Sequence, residues 1–149
     1  MKGMKKKILF MALLFSLAWI DPSAKIKQGI SGKILLKIGN AMPSPGRKIN
    51  EGTPVARTIL IYELTRRTDA IANGTLYSHI KTKLVAKTQS DTTGYYAITL
   101  PAGKYSVFVE TPGGLFANMF DDKGNINMVE VKKDSVSKRD IVINNLAVY

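Results

Sequence analysis

Few residues in this chain are of the types that carry out catalysis. Its 149 residues include one histidine, His79, and no cysteine. A catalytic zinc takes about three protein ligands, mostly His, Glu or Cys, and a Ser-His-Asp nucleophile needs an oriented imidazole. His79 lies between Ser78 and Ile80 near a turn and reads as an ordinary, partly exposed strand residue. The other candidate is Asp121-Asp122-Lys-Gly-Asn125-Ile-Asn127, whose oxygens could address Ca²⁺, a cation that takes about six to eight oxygen ligands. The spacing does not fit an EF-hand loop. Asp, Asn and Gly are also the residues of tight turns, because short polar side chains bond the local backbone and tolerate the left-handed region. A hairpin turn is the expectation, with Ca²⁺ binding as the open alternative. No catalytic residue, cofactor or metal is called for.

Charge points to anionic partners. The formal net charge is +11, from 22 basic and 11 acidic residues. Lys2, Lys5, Lys6 and Lys7 precede an uncharged run, Ile8 to Ile20, that is 13 residues long. Such a run is shorter than the roughly 20 residues needed to span a bilayer. Asp21-Pro22 breaks it, and Ser23-Ala24 offers small residues for cleavage, so residues 1–24 read as a signal peptide. A cut after Ala18 is the alternative. Four lysines and Asp21 leave with the leader, so 18 basic and 10 acidic residues remain, a net +8. That balance favours anionic lipid, acidic polysaccharide or nucleic acid. The basic residues are spread along the chain, with tight pairs such as Arg66-Arg67, and no nucleic-acid module signature is present. With no cysteine, packing alone must stabilise an exported domain, which leans toward a bacterial envelope.

Short strands have to position these residues. Ile30, Gly32, Ile34, Leu36 and Ile38 alternate with Ser31, Lys33, Leu35 and Lys37, a half-buried strand over Gly29 to Ile38. Residues 39–54 are rich in Pro and Gly and read as a long irregular loop. Ala56 to Thr65 is apolar on both faces at its centre, as a central strand would be. The 66–78 stretch is polar, with Asn73-Gly74 the strongest turn signal; Thr75 to Thr88 then reads as one long or bent strand. Asp91-Thr-Thr-Gly94 is a turn before a short strand. Pro101-Ala-Gly103 leads into Lys104 to Glu110, where Tyr105, Val107 and Val109 share a core face. Gly94 and Gly103 are both expected at positive φ. Further turns are expected at 111–114, 121–125 and 132–137, with strands over Ile126 to Val131 and Arg139 to Asn144. No stretch after the leader holds a 3.6-residue period. Residues 25–149 therefore form one all-β domain.

Gly29-Ile-Ser-Gly-Lys-Ile34, Gly52-Thr-Pro-Val-Ala-Arg-Thr-Ile-Leu-Ile-Tyr62, Ser90-Asp-Thr-Thr-Gly-Tyr-Tyr96 and Leu100-Pro-Ala-Gly-Lys-Tyr-Ser-Val107 resemble carboxypeptidase regulatory-like domains. That resemblance implies a prealbumin-like (transthyretin-like) β-sandwich with seven strands in Greek-key order, covering roughly residues 28 to 110. Hydrolases of the transthyretin-like fold use a histidine cluster and a Tyr-Arg-Gly-Ser tail, neither of which this chain has.

The expected function is a non-catalytic binding or structural module of a bacterial envelope, in the periplasm or at the surface. Loops 39–54, 66–78 and 111–125 would present it to an envelope protein or polysaccharide. Arg66, Arg67, Phe108, Phe116, Asp121, Asp122 and Asn125 are the candidate contact residues, Phe108 and Phe116 on the condition that both are exposed rather than covered. The alternatives are a small transthyretin-like hydrolase and a surface-assembly subunit joined by edge-strand pairing, with weak self-association. N-terminal sequencing of the exported protein should begin at Lys25, or at Trp19 for the earlier cut; recovery with Met1 in place would overturn the leader.

Overall fold

The computed structural model describes residues 25–148; the leader and Tyr149 lie outside them. Within this range the chain is all-β, and its strands fall into two sheets. The first sheet is organised around β1 (Gly29–Asn40), the longest strand. β2 (Thr53–Pro54) pairs antiparallel with Leu35 and Leu36 of β1. β3 (Thr58–Glu63) opens the second sheet. A 3-10 turn, Arg67–Asp69, leads to a hairpin of β4 (Ile71–Asn73) and β5 (Leu76–Ser78). β6 (Leu84–Gln89) follows in the second sheet, then β7 (Tyr95–Thr99) in the first. β8 (Gly103–Thr111), β9 (Gly114–Phe116) and β10 (Met128–Val131) return to the second sheet. β11 (Val136–Lys138) and β12 (Ile141–Val148) close the first sheet, both parallel to β1.

The sheets face each other across one apolar core. From the first sheet come Ile30, Ile34, Tyr96, Ile141 and Ile143, and from the second Ile59, Ile61, Tyr105, Val107, Val109 and Phe116. Ile30, Ile34 and Leu36 of the β1 alternation and the Tyr105-Val107-Val109 stripe thus face the core as expected, whereas Ile38 is exposed. Two tyrosines tie the ends of the core to backbone: Tyr96 Oη donates to Arg139 O at 2.6 Å and Tyr105 Oη to Pro101 O at 2.7 Å. Burial pushes the Tyr96 hydroxyl well above its ordinary pKa.

β8 is buried on both faces. Its outward side chains Ser106 and Phe108 are as inaccessible as the inward ones. Phe108 sits edge-on to Tyr62 and Tyr77, with ring centroids 5.6 and 5.7 Å apart. Ala117 and Ile126 complete this second, smaller core. The residues that cover it come from the 64–82 excursion and from 115–127.

Several expectations are corrected. Phe108 and Phe116 are both fully buried and form no exposed surface. Phe116 pairs with Val109 and shares its inward face, whereas Phe108 is one residue out of phase and points the opposite way. Thr75 to Thr88 is two strands rather than one. β5 and β6 are separated by β9, β8 and β3 in the sheet, and the chain turns between them at His79, whose φ is +50°. The 39–54 loop gives up its ends to β1 and β2, and the 132–137 turn gives Val136 and Ser137 to β11. The Pro101-Ala-Gly103 turn passes from one sheet to the other, since β7 pairs with β1 and β8 with β3. Gly94 has φ +77°, and a Cβ there would stand 2.5 Å from Ile34 O. Gly103 lacks a positive φ; the Tyr105 hydroxyl would lie 3.3 Å from its Cβ.

Phe108→Ala should cost about 3–5 kcal/mol in urea denaturation, because it opens a cavity that rigid strands cannot fill. Phe120→Ala, at a side chain 58% exposed, should change stability by less than about 1 kcal/mol.

Candidate functional site

Most of the polar candidates meet at the end of the sandwich where β8 begins. The 66–69 turn and the 121–125 turn are hydrogen-bonded to each other. Arg66 bridges to Asn125, and Arg67 N donates to Gly124 O at 3.0 Å. Asp69 closes its own turn by accepting from Arg66 N at 3.1 Å, and its carbonyl accepts from Lys81 N at 2.8 Å. Thr65, fully buried beneath, receives Ile126 N on its carbonyl and gives its own N–H to Ser106 Oγ. The two loops are therefore seated on β8 rather than hanging from it.

The 121–125 turn repeats the 91–95 turn almost bond for bond. In each, Asp Oδ1 accepts from the backbone N–H groups two and four residues on: Thr93 and Tyr95 for Asp91, Lys123 and Asn125 for Asp121. In each, the glycine three residues on donates to the aspartate carbonyl and has φ +77°. Asn125 Nδ2 adds a bond to Asp121 Oδ2 at 2.7 Å. Asp121 thus spends its carboxylate on its own turn, which is the Asx chemistry of a local cap.

Asn127 faces inward instead. It is buried at φ +43°, and its Nδ2 donates to Val107 O at 2.8 Å while its carbonyl accepts from Val107 N. It thereby fills the one rung where the edge partner of β8 changes from β10 to β9. Among the described residues no group of three or more His, Asp or Glu is placed to hold a metal.

What the surface presents is a concavity of about 370 Å³, lined by Arg66, Lys104, Asp121, Asp122, Lys123 and Asn125 and floored in part by Leu64 and Met128. Beside it, Arg67 lies over the exposed Phe120 ring, 4.9 Å from its centroid. Arg66, Arg67, Lys104 and Lys123 stand against the carboxylates of Asp69, Asp121 and Asp122, so this surface is of mixed charge with a small cationic excess. Phe120, Lys104 and Lys123 join the polar candidates on this surface. Phe120 lay in plain view as an aromatic beside a polar turn, whereas nothing in the sequence places Lys104 near Asp122.

The other predicted elements lie apart. Residues 111–114 sit at the far end of β8, and the 39–54 loop leaves from the end of β1. His79 is exposed, with Nδ1 3.2 Å from Ser78 Oγ. Among the described residues no helix is long and apolar enough to cross a membrane.

Fold and surface together define a two-sheet, all-β module with a charged, aromatic-edged platform at one end. Compared with family models, curated proteins and solved structures, the chain matches none.

The Asn125 amide, followed by the backbone N–H groups of the turn and the Lys123 charge, holds the Asp121 carboxyl below its ordinary 3.8. Its stabilising contribution is complete above that ordinary value and fades as pH falls through the lower, folded one. An NMR titration should give Asp121 a midpoint below 3.8, with the Lys123 and Asn125 amide shifts moving in the same step. A midpoint at or above the ordinary value would contradict the turn geometry.

Proposed function

We propose that this chain is an exported, non-catalytic binding module of a bacterial envelope, and that its partner is an envelope protein or polysaccharide with anionic groups. The observation that carries this reading is the platform: two loops, distant in sequence, are hydrogen-bonded together and anchored on β8 through Thr65, Ser106 and Phe108. Ordered loops on a rigid sheet lose little entropy when they bind, which is why scaffolds of this kind carry recognition. The net +8 left after the leader, from 18 basic and 10 acidic residues, supports an anionic partner.

The family assignment is part of the proposal. Setting aside the short β2, β4, β5 and β9, and counting β11 with β12, seven strands remain, as β7-β1-β11/β12 and β6-β3-β8-β10. The chain crosses between these layers from β1 to β3, β6 to β7, β7 to β8 and β10 to β11. That order supports a seven-strand Greek-key sandwich of the carboxypeptidase regulatory-like kind. A second reading, self-assembly through strand edges, draws on β6. This strand hydrogen-bonds to β3 alone and leaves Leu84 and Val85 partly exposed; such an edge can add another strand.

Binding to a uronic-acid polysaccharide, and capture of partners from envelope extract, should separate these readings. Replacing Arg66 and Arg67 by Ser together with Phe120→Ala should weaken binding roughly tenfold or more without moving the melting temperature, since central cationic and aromatic contacts carry most binding energy. Unchanged binding would remove the platform from the interface. A mass that rises with concentration by light scattering, and falls in a Val85→Lys variant, would favour edge pairing.

A further inference from the structure

The opposite end of the sandwich, where β8 finishes, is apolar and open. A cleft of about 440 Å³ lies there between the sheets, walled by Leu36, Ile38, Leu76, Ile143 and Leu146, with Arg57 and the 111–113 turn at its rim. Its volume falls within the range of about 300–1,000 Å³ typical of small-molecule pockets. Leu36 and Ile143 line it as an extension of the inter-sheet core, while Ile38 and Leu146 are paired in register on β1 and β12 and are 61% and 59% exposed. The core therefore runs out into solvent as an uncapped apolar slot.

Arg57 gives the slot its chemistry. Its Nη1 donates to the neighbouring Ala56 O at 3.0 Å, but its Nε is buried without a hydrogen-bond partner. No carboxylate pairs with it. Glu110 borders the shallow groove on the far side of Arg57, yet the one ion pair among the described residues is Lys138–Asp140. A guanidinium has five donors in a fixed fork, shaped for a carboxylate. The buried Nε is closed to solvent, but the guanidinium lines the cleft and carries its charge there without a carboxylate partner.

We infer that this cleft binds a medium-chain fatty acid, its alkyl tail between the sheets and its carboxylate on Arg57. The tail covers Ile38 and Leu146, and the head group supplies the carboxylate partner that Arg57 lacks. This goes beyond the platform reading and is independent of it, because the two surfaces lie at opposite ends of β8.

Isothermal titration of the purified protein with decanoate and with decan-1-ol, both below micellar concentration, tests the inference. Decanoate should bind one to one, and decanol roughly tenfold or more weakly, the difference expected for a charge-assisted hydrogen bond. Arg57→Gln should bring the two ligands to equal affinity. Leu146→Asp, at an exposed position, should weaken both by about tenfold or more while the melting curve stays in place. The Arg66/Arg67/Phe120 variant should bind decanoate as the parent does. Equal affinity for decanoate and decanol in the parent, absence of binding, or a dimer that decanoate leaves intact and Leu146→Asp dissolves would each overturn the inference; the last would make a second copy the occupant.

Discussion

The requirement that β8 stay dry on both faces governs the second sheet. A sandwich normally shields one face of each sheet and leaves the other to water, so alternate residues on its strands are polar. β8 breaks that rule at Phe108, which points away from the partner sheet and still has no solvent access. Something must cover it, and the described residues form no α-helix. The cover is assembled from Tyr62 on β3, Tyr77 on the β4–β5 hairpin, and Ala117 and Ile126 around the 121–125 turn. Hydrophobic burial thus draws together segments far apart in the chain, and the hydrogen bonds between Arg66–Arg67 and Gly124–Asn125 then fix their relative position. The exposed platform is the outer surface of that cover.

Asn127 shows how narrow the backbone solution is. Where β10 ends and β9 has not yet begun, the edge of β8 would have an unpaired carbonyl at Val107. A buried orphan of this kind costs about 1–3 kcal/mol. The Asn127 side chain and carbonyl make both bonds of that rung, at the expense of a left-handed φ of +43° that Asn tolerates better than most residues. The seam between the two edge partners is closed by one side chain.

Period-two patterns were legible wherever one face decides the outcome. Ile30 and Ile34 on β1, and Tyr105, Val107 and Val109 on β8, could be assigned to the core because alternation alone fixes their side. The Asn73-Gly74 hairpin and both Asp-x-x-Gly turns were legible because their chemistry is local. Phe108 was not, since its burial depends on residues 62, 77 and 126, which no neighbouring position announces. The split of 75–88 into two strands was hidden for a related reason. Leu76, Tyr77, Leu84 and Val85 all suit a strand, and only the order of the sheet shows that they belong to opposite edges. Of the candidate contact residues, the polar ones could be named from composition, but their meeting around one concavity is a product of tertiary packing. Arg57 carried no signal in the sequence, because its lack of a partner is a property of the folded chain.

The parallel pairing of β1 with β11 and β12 has a mechanical consequence. Strands near the two ends of the described chain lie side by side and run the same way, from Gly29 opposite Val136 to Asn40 opposite Val148. Tension drawn between residues 29 and 148 therefore acts lengthwise along this ladder, loading its rungs in shear and together, instead of peeling them one after another. A ladder loaded in this manner shares the force among all its rungs.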